Sequence, residues 1–156
     1  MFKELRRKDR ELETIETEAI LTAGIYGVLS VTDETGYAYG VPLNYIYTGD
    51  SIYVHSALVG QKLTAIRNNH KVSFCVVGEA VTLPDAFSTQ YKSAIVFGTA
   101  VEVNAQEKIE ALTALIGKYA PGVEFKEKGE NYVASDNHRT VVMKITIEHM
   151  TGKARK

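Results

Sequence analysis

The sequence predicts a mainly β fold of the α+β class, an antiparallel β-barrel with peripheral helices. Two observations carry that expectation. Short runs rich in valine, isoleucine and tyrosine follow one another in hairpin succession, closed by turn signals such as DETG (33–36) and TGDS (48–51). Helical segments are inserted only after the third such run and before the last, which does not suit alternating βαβ units. There is no internal repeat and no low-complexity tract.

Taken in order, residues 1–13 form a charged arm. Residues 14–24, TIETEAILTAG, read as a short helix with Ile15, Ala19, Ile20 and Ala23 on one face and Gly24 as its stop. IYGVLSVT (25–32) is a β-branched strand, and YAYGVPLNYIY (37–47) is its return. Pro42 cannot donate to a ladder, so that return strand is free on one side or bulged there. SIYVHS (51–56) alternates as a third strand, and LTAIRNN (63–69) reads as a helix. KVSFCVV (71–77) is a fourth strand. The polar, turn-rich segment 78–90 reads as a loop or irregular edge. YKSAIVFGTAVEV (91–103) is a long strand in which Gly98 marks a bend or bulge. Residues 105–122 are the clearest helix, with Ile109, Leu112, Leu115 and Ile116 as its apolar stripe and Pro121-Gly122 as its end. A charged linker (124–138) leads to the last strand, RTVVMKITIEHM (139–150).

Composition narrows the function. The 156 residues are the size of one domain and can enclose a sizeable core. A formal net charge of -1 argues against a broad basic face for nucleic acid, while leaving room for a local basic pocket. The single cysteine, Cys75, allows no intrachain disulfide and no cysteine-rich metal site, and its apolar setting predicts an inert core thiol. The charged start lacks the apolar stretch of a signal peptide, and no segment has the apolar length of a membrane span; the expectation is a cytoplasmic protein.

Chemistry concentrates at HSALVGQK (55–62), a strand-to-helix corner. A helix start offers unpaired N–H groups and partial positive charge. Gly60 lets a ligand approach the backbone, Ser56 adds a hydroxyl, Gln61 an amide and Lys62 a mobile positive charge. The set suits a phosphate monoester; a capped helix start with a solvated lysine is the other reading that the spacing allows. His55 is open to two readings as well, a hydrogen-bonded strand histidine or a site residue. In VPLNY (41–45) the proline leaves neighbouring backbone groups to bond something other than a strand. A flat heteroaromatic ring is one candidate, and a plain barrel rim is the alternative.

Six segments occur together in a familiar order and spacing: RRKDREL (6–12), GVPLNYIY (40–47), IYVHSALVGQK (52–62), KVSFCV (71–76), YKSAIVFGTA (91–100) and HMTGK (149–153). In these the chain resembles the FMN-binding split-barrel proteins related to pyridoxamine 5'-phosphate oxidase, in the branch that includes the nitroimidazole-resistance (Nim) proteins. The resemblance implies a single FMN-binding domain over residues 1–156. It further implies a six-stranded split barrel and a homodimer with FMN at the subunit interface. It places Val41, Pro42, Leu43, Asn44 and Tyr45 along the isoalloxazine, with the backbone of Leu43 and Asn44 at its polar edge. His55, Ser56 and Ala57 would border the ring and ribityl chain, Gly60, Gln61 and Lys62 would hold the phosphate, and Ser93 would approach the flavin from the long strand.

Two departures bear on activity. Gln61-Lys62 stands where the oxidase proper has an arginine-lysine pair, and the chain has no tryptophan and stops soon after HMTGK. A Nim-like reductase passing electrons from FMN to a small nitroaromatic or other acceptor therefore fits better than oxidation of pyridoxamine phosphate. His55 is the best placed general acid, since an ordinary histidine titrates near pH 6.5. The competing reading is a flavin-binding or redox-sensing module without turnover. Histidines 55, 70, 138 and 149 show neither metal-ligand spacing nor a haem signature.

Overall fold

In a computed structural model that describes residues 2–155, the strands close into a barrel that is split at one point. Gly27–Thr32 (β2) returns as Ala38–Leu43 (β3) through a turn in which Asp33 Oδ1 accepts the N–H groups of Thr35 and Tyr37. Asn44 then interrupts the run. Tyr45–Tyr47 (β4) continues the same chain direction but pairs with Ser51–Ala57 (β5) instead of β2. Beyond these lie Lys71–Leu83 (β6), Ser88–Val103 (β7) and Thr140–Arg155 (β8), and the sheet order is β3-β2-β6-β7-β8-β5-β4. Both ends of that path belong to one run of chain, so the sheet closes on itself at Asn44. Counted with β3 and β4 as one interrupted strand, the barrel has the six strands expected. A two-residue strand, Glu11–Leu12 (β1), adds to β8, so the end of the charged arm is built into the sheet.

Period-two alternation fills the interior. Leu29, Ile52, Val54, Phe74, Val76, Val96, Met143 and Ile145 are buried around the ring of Tyr45, which meets Phe74 edge-on at 5.0 Å. Cys75, expected in the core, does not lie there. Alternation along β6 turns Val72, Phe74 and Val76 inward, so Cys75 lies half-buried on the outer face, opposite Val28 and Ile95. On the same outer face Val77, Ile95, Phe97 and Val101 are exposed.

The helices cover the barrel. Thr14–Ala23 (α1) buries Thr17, Ile20 and Leu21, whereas Ile15, expected on the apolar face, is 75% exposed. The helix is set close to β8 at Gly152, where a Cβ would fall 2.0 Å from Thr17 Oγ1. That proximity selects the Thr17 face. Gln61–Asn68 (α2) follows the corner, and Ala105–Tyr119 (α3) packs Ala111, Leu112 and Leu115 inward. The expected linker instead contains a helix, Lys126–Asp136 (α4). It buries only Val133, and Gly129 sits where a Cβ would be 2.7 Å from Ile116 Cγ2. A helix held by one apolar side chain and a glycine contact leaves no stripe in the sequence.

Residues 78–90 also differ from expectation. β6 and β7 run on past a register shift between Val77 and Ala80 as a hairpin arm, turned at Pro84–Ala86. The arm is largely solvent-exposed, so it lacks the alternation that marks a half-buried strand. The expected irregularity at Gly98 is a register shift between Phe97 and Gly98 against β8.

Candidate functional site

The split creates the site. Past the Tyr45–Val54 pair, β5 continues as His55, Ser56 and Ala57 without a partner on that side, and β3 pairs only with β2. The outer edge of Val41, Pro42 and Leu43 is therefore unpaired, and Pro42 has no N–H to leave unsatisfied there. A gap flanked by β3 and by the β5–α2 corner runs from Asn44 and His55 at one end to Gly60, Gln61 and Lys62 at the other.

Each residue in the gap has a distinct state. Ser56 is buried, and its Oγ has no hydrogen-bond partner among the described residues. Ser56 lies on the inward face of β5 with Ile52 and Val54, whereas His55 and Ala57 face outward. Gly60 caps α2 at φ 156° and ψ 157°, a conformation that essentially only glycine adopts. No described side chain caps this helix, so the first-turn N–H groups of Gln61 and Lys62 have no side-chain partner, and such groups suit an anion. Lys62 is half-buried, with its Nζ 4.0 Å from the place a Cβ on Gly60 would take. It folds back over the corner rather than out into solvent. Gln61 is committed elsewhere, its Nε2 donating to Asp33 Oδ2 at 3.3 Å, which ties the corner to the β2–β3 turn. Asp33 is held below the usual carboxylate range, chiefly by the Thr35 hydroxyl.

His55 is solvent-accessible on one side and crowded on the other. Desolvation, with the Lys62 charge second, lowers its pKa from 6.5. The imidazole is therefore neutral at pH 7, donating one N–H and accepting at the other nitrogen. The unfolded chain takes up the proton first, so acidification favours unfolding as pH falls below about 6.5. The melting midpoint of the ligand-free protein should fall from pH 7 to pH 5, and the fall should be shallower in His55→Gln. Equal slopes for the two proteins would refute the assignment.

Tyr45 does not line the gap with its side chain. Its ring is fully buried, and its hydroxyl donates to Leu21 O at 2.5 Å. Ser93 is remote in this chain: it pairs with Lys153 near one end of β8, whereas His55 pairs with Val142 near the other. His149 lies on the outer face, stacked on Phe2 at 4.7 Å. Among the described residues no three of His, Cys, Asp and Glu converge on one point, and no helix is long and apolar enough to cross a membrane.

Tyr119 and Lys118 escaped the sequence reading. The Tyr119 hydroxyl accepts the Tyr45 N–H at 3.0 Å and donates to Ile25 O at 2.5 Å, so it closes the backbone at the split from α3. Lys118 places its Nζ 3.9 Å over the Tyr45 ring without a hydrogen bond, and burial lowers its pKa. Nothing local in the sequence signals either contact, since 74 residues separate Tyr45 from Tyr119.

This geometry defines a class: a split β-barrel with an uncapped helix start beside an unpaired strand edge. The chain matches the family described as pyridoxamine 5'-phosphate oxidase over residues 13–154, and it belongs to that family. Three solved structures share the fold. A Bacteroides thetaiotaomicron protein, provisionally named for 5-nitroimidazole antibiotic resistance, is 22% identical over 92% of this chain and 86% of its own, with a TM-score of 0.75. An FAD-binding protein from Mesorhizobium loti is 24% identical over 94% and 98%, at 0.70. A flavocytochrome from Azotobacter vinelandii is 20% identical over 98% and 72%, at 0.80. The comparison with curated proteins gave no match.

Proposed function

We propose that the chain is a cytoplasmic, FMN-dependent oxidoreductase of the Nim-like type, with residues 1–156 acting as one FMN-binding unit. One observation carries the reading: the unpaired edge of Val41, Pro42 and Leu43 lies beside a corner with open helix N–H groups and a folded-back Lys62. A flat ring with a phosphate tail is the ligand that this set of groups suits. Leu43 and Asn44 offer backbone groups to the ring edge, Ser56 and Ala57 border the ribityl chain, and Gly60 with Lys62 takes the phosphate. When bound, reduced FMN supplies two electrons and two protons, enough to convert a nitro group to a nitroso group with release of water. With FMN bound, His55 would be able to donate a hydrogen bond at the ring end, and an anionic neighbour there would raise its pKa towards neutrality and equip it as a general acid.

A homodimer completes the reading. The exposed apolar face of Val77, Ile95, Phe97 and Val101 needs a cover, and two-fold symmetry is the commonest way for a chain to supply one. In such a dimer Ser93 belongs to the same outer face and would approach the partner's flavin. The FAD-binding and flavocytochrome relatives support a flavin, and the resemblance of the corner to FMN-binding split barrels favours FMN.

The test is a visible spectrum. Purified protein, or protein mixed with FMN, should show flavin absorbance with altered fluorescence and should scatter light as a dimer at micromolar concentration. Absence of both signals and of binding in titration would end the cofactor assignment. Fast stoichiometric reoxidation of the dithionite-reduced protein by a nitroaromatic distinguishes an enzyme from an inert flavin module.

A further inference from the structure

The geometry points to a second binding site: the cavity enclosed by α3, α4 and the end of β5 takes a neutral molecule containing a single aromatic ring. The cavity has a volume of about 220 Å³ and lies beside the gap, sharing Asn44 and His55 with it. Leu112, Leu115, Ile116 and Val133 form its apolar floor, and the rings of Tyr119 and Tyr132 form its sides.

Size sets the ligand class. A dry apolar cavity of about 150 Å³ holds benzene, and drug-sized ligands need about 300–1,000 Å³. A cavity of 220 Å³ therefore admits one ring with a small substituent and excludes three fused rings. Charge sets the rest. Neither Lys nor Arg lines the cavity, and its one carboxylate, Asp136, is partly engaged by Ser135 Oγ at 3.1 Å and Arg139 at 3.9 Å. An anion is thus disfavoured, whereas a neutral amide or nitro group suits the rim. Asn44 and His55 provide that rim, and neither side chain hydrogen-bonds another described residue. Two unengaged polar groups at the mouth of an apolar hole are the arrangement by which small-molecule sites orient a ligand. The cavity is open to solvent on one side, where Tyr132 is 58% exposed.

On the flavin reading, a ring seated here has its polar edge at the residues that border the isoalloxazine, which makes the cavity the acceptor's place. The naming of the ligand as acceptor rests on that reading; occupancy of the cavity does not. The experiment uses 4-fluorobenzamide followed by ¹⁹F NMR, with the full chain alone and with the chain after addition of FMN. Ala120 lines the cavity with a negative φ of -137°, so Ala120→Phe fills it without demanding a left-handed backbone. The probe should bind the wild type with or without FMN, and Ala120→Phe should weaken it at least tenfold while FMN affinity stays within twofold. Absence of probe binding at millimolar concentration, equal binding by folded Ala120→Phe, or competition between probe and FMN overturns the inference. Should Ala120→Phe fail to fold, Tyr132→Ala, which removes a solvent-facing wall, must produce the same selective loss. Probe binding by a chain that takes up no FMN would sink the flavin reading and leave the cavity standing.

Discussion

Lys62→Ala should bind FMN about tenfold to a hundredfold more weakly than the wild type, with riboflavin affinity unchanged. A charge-assisted contact to phosphate is worth roughly 1.5–3 kcal/mol, and about 1.4 kcal/mol corresponds to a factor of ten. Riboflavin lacks the phosphate and makes no such contact. The half-buried, folded-back Lys62 starts near the corner, so little ordering opposes the interaction. Apoprotein stability should change little, because a lysine in the first turn does not favour the helix dipole. The variant should also titrate His55 closer to the ordinary histidine value, since one of its two lowering causes is gone. Titrations of both flavins decide the matter. Equal losses for FMN and riboflavin would place Lys62 against the ring or in the fold, and no loss for either would make it a solvated surface charge.

Gly98→Ala should lower the melting midpoint by roughly 2–12 °C. A Cβ at Gly98 would lie 2.2 Å from the backbone oxygen of Thr146 and 3.0 Å from Ile145 Cγ2. The obstacle is backbone of the adjacent strand, which cannot move aside without breaking the β7–β8 ladder at its register shift. Overpacking of this kind costs about 1–3 kcal/mol, and each kcal/mol moves the midpoint by about 2–4 °C in a chain of about 150–250 residues. Gly117 is the internal control. It lies in α3 with nothing within 4 Å of the place a Cβ would take, so Gly117→Ala should gain roughly 0.5–1 kcal/mol from helix propensity. Calorimetry on the two variants should show shifts of opposite sign. A Gly98→Ala midpoint within a degree of the wild type would refute the steric account.

What could be read from the chain alone follows a physical line. Strands with one face in the core show it by alternation, as SIYVH and KVSFCV do, and Pro42 marked a strand free on one side, as β3 is along its outer edge. The glycine at 98 announced a bulge for the same reason: backbone needs are written in residue type. Features held by distant contacts are silent. α4 is a helix because Gly129 and Val133 meet α3, and no neighbour in sequence reveals that. Ile15 matched a helical face that the close seat of Thr17 at Gly152 overrules. At the corner, residue types pointed to an anion, but the commitment of Gln61 to Asp33 and the closure of the split by Tyr119 required the fold.

The position of β8 in the sheet has a kinetic consequence. It comes after all the other strands in chain order, yet it pairs with β1, β5 and β7. β5 and β7 therefore have no common neighbour until residues 140–155 are present. Before then a nascent chain can form the β2–β3 and β6–β7 hairpins, but it cannot close a ring. Contacts of such long sequence separation make folding slow and leave strand edges open in the interim. The corner at 55–62 is translated early, but the strand that ties β5 to β7 arrives last.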